Sequence, residues 1–168
     1  MKTQKLMLII AVIICGFSIQ SFAQIVLPEV KVIANYKYLN SVDDDANALP
    51  VKRLEREVAA FSLKNSEYYE DEYDSYFISF YIPEGEILAA YDKDGNLLRT
   101  AEKFKNVRLP EAVAKSVVQK YPGWDIAKDV YLVSFYENKR VTTKTYKLIL
   151  EKGTKRMRVK TNEVGEFL

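Results

Sequence analysis

The sequence predicts an α+β protein: one antiparallel sheet with two helices packed on one face, built as a tandem repeat of helix plus antiparallel β-meander. Three observations carry this. Leu109–Trp124, LPEAVAKSVVQKYPGW, reads as one amphipathic helix with both ends marked. Nearly everything after Trp124 alternates as strand. The helix opening and the hairpins recur at fixed offsets along the chain.

Met1–Ala23 reads as a secretory signal peptide and is set apart from the fold. Lys2 and Lys5 supply the positive start, Leu6–Phe17 the apolar run, and Ser21-Phe22-Ala23 the small residues at −3 and −1 before Gln24. The run is short for a bilayer span and no stop-transfer pattern follows, so no transmembrane segment is expected in the exported chain. Ile14 stands where a small residue precedes a lipidated cysteine, so Cys15 is expected to leave with the signal. Cleavage at Ala23/Gln24 makes the protein periplasmic or secreted, with residues 24–168 as a single domain of ordinary size.

Gln24–Leu39 carries Val26, Val30, Val32, Ala34, Tyr36 and Tyr38 at alternate positions and predicts a strand, with Pro28 near its start or on an edge. Asn40–Ala48, with Asp43, Asp44 and Asp45, predicts a loop. Pro50–Asn65 predicts a helix whose stripe is Leu54, Val58 and Phe61. Ser66–Ser75 is acidic and tyrosine-rich and reads as a solvated connection or an edge.

Tyr76–Pro83 and Glu86–Tyr91 predict strands, joined at Glu84-Gly85. Asp92-Lys93-Asp94-Gly95-Asn96 is a hairpin turn in which Gly95 supplies positive φ, and Leu97–Thr100 continues the meander. In the central helix, Pro110 suits the first position, Glu111 and Lys120 complement the dipole, and Pro122-Gly123 stop it. Val113, Val117 and Tyr121 form its stripe, with Ala114 and Val118 beside them. Asp125–Tyr136, Val141–Glu151 and Lys155–Thr161 are the remaining strands, with turns at Gly153 and Gly165.

Leu49-Pro50 and Leu109-Pro110 open the two helices, and Tyr76–Leu98 matches Tyr146–Leu168 in length and alternation, Gly95 falling on Gly165. The repeat units are therefore 49–100 and 109–168. Alternation points Tyr76, Ile78, Phe80, Ile87, Ala89, Tyr131, Val133, Phe135, Tyr146, Leu148, Leu150, Met157 and Val159 toward the helices. Phe77, Tyr81, Tyr136, Lys147, Arg156, Arg158 and Lys160 then face outward. Aromatics beside arginines on an uncovered antiparallel face are the composition of a protein-binding patch, so these seven are the candidate site. The competing reading is that the N-terminal strand or the 66–75 loop folds over them, with Glu70–Asp74 pairing the arginines.

Composition excludes whole classes of chemistry. The chain has no histidine and one cysteine, so Ser-His-Asp and Cys-His systems, disulfides and nearly all zinc catalysis are absent. No glycine-rich phosphate loop is present. No catalytic, cofactor or metal residues are assigned. Asp92 and Asp94 read as a hairpin turn rather than a calcium loop, while Asp43–Asp45 and Glu70–Asp74 read as solvated loops or as weak calcium ligands. Trp124 reads as core. Residues 24–101 carry 15 acidic and 8 basic side chains, and residues 102–168 carry 8 acidic and 15 basic. This polarity joins two halves of one domain or offers a basic surface to an acidic partner; it is too dispersed for nucleic acid.

The helix LPEAVAKSVVQKYPGW, the hairpin YDKDGNLLRT, the closing run MRVKTNEVGEFL and the helix Leu49–Asn65 together carry a family resemblance. The chain resembles the PepSY-like secreted proteins of Bacteroidetes-type bacteria that share the fold of the beta-lactamase inhibitor protein, over about Leu49–Leu168. The resemblance implies a tandem α+β fold, no enzyme activity and an open sheet face that grips a protein. A non-enzymatic exported protein that binds a protein or peptide of the cell envelope is the first expectation, a regulator or inhibitor of an exported hydrolase the second, and a carboxylate-based enzyme the third. The last would need two carboxylates across a cleft.

Overall fold

The computed structural model describes residues 35–139 and 141–168, which belong to one compact unit. The signal peptide, its cleavage site and the predicted strand from Gln24 to Ala34 lie outside the described residues. Three helices and six strands follow in order: α1 (Tyr36–Val42), α2 (Leu49–Ala60), β1 (Ser75–Ile82), β2 (Gly85–Asp92), β3 (Leu97–Lys105), α3 (Glu111–Lys120), β4 (Asp125–Tyr136), β5 (Val141–Lys152) and β6 (Lys155–Thr161). The strands form one sheet in sequence order, every neighbour antiparallel. None of the described helices is long and apolar enough to cross a membrane.

The helix α1 corrects the expected strand through Leu39. The side chain of Asn35 accepts a hydrogen bond from Tyr38 N–H at 3.0 Å, an N-cap that starts a helix. Tyr38 and Val42, one helical turn apart, are then both fully buried. The alternation at Tyr36 and Tyr38 has no cross-strand partner to reward it, so the cap and the i, i+4 pair win, and Tyr36 stays exposed. The described residues therefore hold three helices where two were expected.

The helix α2 ends at Ala60, short of Asn65. Phe61 turns extended and packs edge-on against Phe80, ring centroids 5.3 Å apart, and Leu63–Asn65 form one 3-10 turn. In α3, Pro110 is the cap rather than the first helical residue, and Val118 faces solvent instead of joining the stripe. Val113 and Val117 carry the burial. Each contributes about 1.5–3 kcal/mol by leaving water.

The core is one cluster between the helices and the predicted inner face of the sheet. It holds Tyr76, Phe80, Ile87, Tyr131, Val133, Phe135, Tyr146, Leu148 and Leu150, with Trp124 packed against it. Phe104, Tyr131 and Tyr146 are cross-strand neighbours in register, and the two tyrosine rings stack at 4.5 Å. The strands β4, β5 and β6 match expectation within one residue, while β3 runs on to Lys105 because Thr100, Glu102 and Phe104 keep alternating inward. Gly95 and Gly165 adopt φ +80 and +86, and their turns share one wiring. Asp92 and Asn162 each accept a backbone N–H from that glycine, and each side chain accepts the N–H four residues on.

The candidate site and a buried carboxylate pair

All seven candidate residues project from the face of the sheet opposite the helices. Phe77 is 58% exposed, Tyr81 68% and Tyr136 37%. The pairing registers set Phe77, Ala90, Arg99 and Tyr136 in one row across β1 to β4. Arg99 holds its guanidinium 5.9 Å from the Phe77 ring centroid, and Lys139 stands 5.6 Å from that of Tyr136. Leu88, 43% exposed on β2, extends the apolar strip.

The bases lie elsewhere on the same face. Lys147 is directly opposite Lys160, Ile149 opposite Arg158, and Glu151 opposite Arg156, all on β5 and β6. Strands repeat every ~4.8 Å, so Phe77 and Tyr81 on β1 stand roughly 24 Å from the β6 bases. The structure thus does not bring the seven residues into one patch. It makes an aromatic strip at the β1 side and a basic strip at the β6 side. Arg156 is paired with Glu151 at 2.5 Å, and Lys103 with Glu86 at 3.7 Å. Arg99, Lys105, Lys147, Arg158 and Lys160 have no acidic partner among the described residues. Arg99 was missed from sequence because its strand was expected to carry only a meander return. Its alternation with the inward Thr100 was the available signal.

The 66–75 loop does not cover this face. Tyr69 stacks on Tyr76 at 5.7 Å and Tyr73 meets the same ring edge-on at 6.0 Å, both on the inner side. None of Glu70–Asp74 forms an ion pair among the described residues. At the hairpin, Asp92 spends both carboxylate oxygens on Asp94 N–H and on the backbone and side chain of Asn96. That leaves it a turn, as expected. No group of three or more acidic residues is placed to hold a metal among the described residues.

A second polar constellation, unforeseen from sequence, lies inside the molecule. Glu55 on α2 is fully buried with neither carboxyl oxygen hydrogen-bonded. Glu102 on β3 is 3% exposed; one oxygen accepts from Tyr38 Oη and Thr100 Oγ1, each at 2.7 Å, and the other is unpaired. Burial first, then the charge of Glu102, pushes the Glu55 carboxyl up to about 8. Burial pushes Glu102 up to about 6, against the two hydrogen bonds and the attraction of Lys144. Glu55 stands between Val51 and Ala59 on the helix face that buries, a position the Leu54–Val58 stripe concealed. None of the larger clefts among the described residues is lined by Glu55 or Glu102.

No protein-family description matches the chain, and no curated protein matches it. Among solved structures, a BLIP-like protein from Bacteroides fragilis aligns with 59% of this chain and 68% of its own length, at 22% identity and a TM-score of 0.33.

Proposed function

We propose that this is an exported, non-enzymatic binding protein whose outer sheet face meets an acidic surface of a protein or peptide in the cell envelope. The observation that carries the reading is the Phe77–Arg99–Tyr136 row, exposed on the face away from the helices, with Lys139 beside the Tyr136 ring and a separate strip of unneutralised bases on β5 and β6 of the same face. An uncovered antiparallel face is normally polar, and aromatics with arginine at the centre of a surface are the residues that dominate protein affinity. Lys147 and Lys160 sit directly opposite each other, an unfavourable like-charge pair that an acidic partner would relieve. The carboxylates with the strongly raised pKa values lie in the interior, away from these clefts, which favours binding over acid–base catalysis.

The test is capture from an envelope extract by residues 24–168, compared with the double variant Arg99→Glu, Tyr136→Ala. Both positions are on interior strands and partly or fully exposed, so melting should stay within about 1 kcal/mol of wild type. A protein retained by wild type and lost by the variant supports the reading. Equal retention by both removes this face as the site.

A further inference from the structure

The strand β1 is a sheet edge whose spare backbone groups can be named. Its sequence, Ser-Tyr-Phe-Ile-Ser-Phe-Tyr-Ile, has no charge and no proline, and its register with β2 runs unbroken from Ser75 to Ile82. Lys105 N–H donates to the Glu84 carbonyl at 2.7 Å, and Asp92 N–H to that of Asn96 at 3.0 Å. Even-numbered residues of β2 therefore turn their N–H and C=O to β3, and odd-numbered ones turn theirs to β1. Through the register, Tyr76, Ile78, Phe80 and Ile82 spend their backbone groups on β2. Phe77, Ser79 and Tyr81 present theirs to the far side, where no strand of the described sheet lies. All three are exposed. An edge of this length without charge, proline or bulge is a template for another strand.

A block of acid marks one end of this edge. Glu67, Glu70, Asp71, Glu72 and Asp74 are exposed and lead into Ser75. The Tyr76 hydroxyl donates to the Glu70 carbonyl, and the Tyr73 ring meets the Tyr76 ring edge-on, which ties the run to the leading end of β1. None of these five acids forms an ion pair among the described residues. The inner margin of the edge is apolar: Ile78 and Ile82 are half-buried and pack against the core.

We propose that β1 is the docking edge for an extended peptide of another protein, apolar at alternate positions and basic at its C-terminal end, which joins the sheet as a further strand. Main-chain hydrogen bonds to Phe77, Ser79 and Tyr81 supply affinity whatever the sequence, and alternate side chains supply the selection. An antiparallel strand, the more stable pairing, finishes beside Ser75, so its last residues lie against the acidic run. Lysine or arginine there is matched, and glutamate is repelled. Its inward side chains continue the apolar margin beside Ile78 and Phe80. Register and charge set aside a second copy of this chain. The β6 edge is closed at its end, where Thr161 bridges Phe167 and Leu168 N–H donates to the Lys160 carbonyl at 3.0 Å. A two-fold β1–β1 pairing centred on Ser79 sets Asp74 against Glu84, acid against acid. The site is the edge, and it is independent of what meets the outer face.

Fluorescence anisotropy of a labelled synthetic peptide, valine–threonine repeats ending in three lysines, titrated with residues 24–168, tests this. Binding should saturate and weaken as salt screens the acidic run. The same repeats ending in three glutamates should bind at least about tenfold more weakly. The Ser79 N–H points to the free side, so Ser79→Pro leaves the ladder with β2 intact and should keep the melting temperature while losing the peptide. Asp71→Lys with Glu72→Lys changes only exposed loop positions and should reverse the preference between the two peptides. That variant decides the matter if Ser79→Pro fails to fold. Equal affinity for lysines placed at either end of the repeats would overturn the antiparallel docking. A folded Ser79→Pro that binds like wild type, or a wild type that binds none of the peptides, would overturn the proposal outright. So would a wild-type dimer in sedimentation that Ser79→Pro dissolves, because the edge would then belong to a second copy.

Discussion

Tyr38 donates its hydroxyl to Glu102 at 2.7 Å, joining α1 to the middle of the sheet from 64 positions away in sequence. The bond is buried, and its acceptor is a carboxyl that also takes Thr100 Oγ1. Tyr38→Phe keeps the packing and leaves Glu102 with one donor. It should cost about 1–3 kcal/mol and raise the Glu102 pKa further, both readable by denaturant unfolding across pH.

Glu55 makes stability depend on pH. Its carboxyl ionises at about 8 in the fold against 4.5 for the free side chain, so between those values the unfolded chain has lost a proton that the fold keeps. The contribution is fully present below about pH 4.5, declines as pH rises, and is gone above about 8. Glu102 acts in the same direction over a narrower window, up to about 6. Glu55→Gln should flatten this decline and be more stable than wild type at pH 8 by about 2–4 kcal/mol. Parallel pH–stability curves for the two proteins would show that Glu55 is not the titrating group.

Two glycines should respond differently to alanine. A Cβ at Gly165 would stand 2.7 Å from the Ala112 carbonyl oxygen, at φ +86, where the closing turn lies on α3. Gly165→Ala should therefore cost more than about 2 kcal/mol and loosen the C-terminal tail. Gly153 has φ +58 with nothing within 4 Å of its Cβ position. Gly153→Ala should cost about 1 kcal/mol, from backbone strain alone. Thermal melts of both separate packing from φ.

Val117→Asp places an unpaired charge at a fully buried position on α3. It should destabilise by more than about 4 kcal/mol and leave no cooperative melt.

Export should yield a protein that begins at Gln24 and carries no lipid. Intact mass of the envelope form decides this; a lipid-bearing Cys15 would contradict the signal-peptide reading.

Local patterns made much of the fold legible. Alternation of period two places Phe77 and Tyr81 outward and Tyr76 and Phe80 inward, because a strand has only two faces. Pro122-Gly123 ends α3, and glycine at 95, 153 and 165 marks turns, because these choices are backbone chemistry that needs no distant partner. The same reasoning misplaced Tyr36–Leu39, where an asparagine cap and one buried helical turn outweighed a period-two pattern with no strand beside it. Strand adjacency was legible only for the hairpins. The distance between Tyr81 and Arg158 depends on the order of all six strands, which no local pattern encodes. Nor does any local pattern reveal that Glu55 and Glu102 share one interior: a glutamate in a helix reads as solvated until three elements close over it. Sequence by itself determined the six strands of the sheet, their faces and the outward chemistry. Tertiary structure alone decided which of those side chains stand together, because separation across a sheet and burial between layers arise from contacts between residues far apart in the chain.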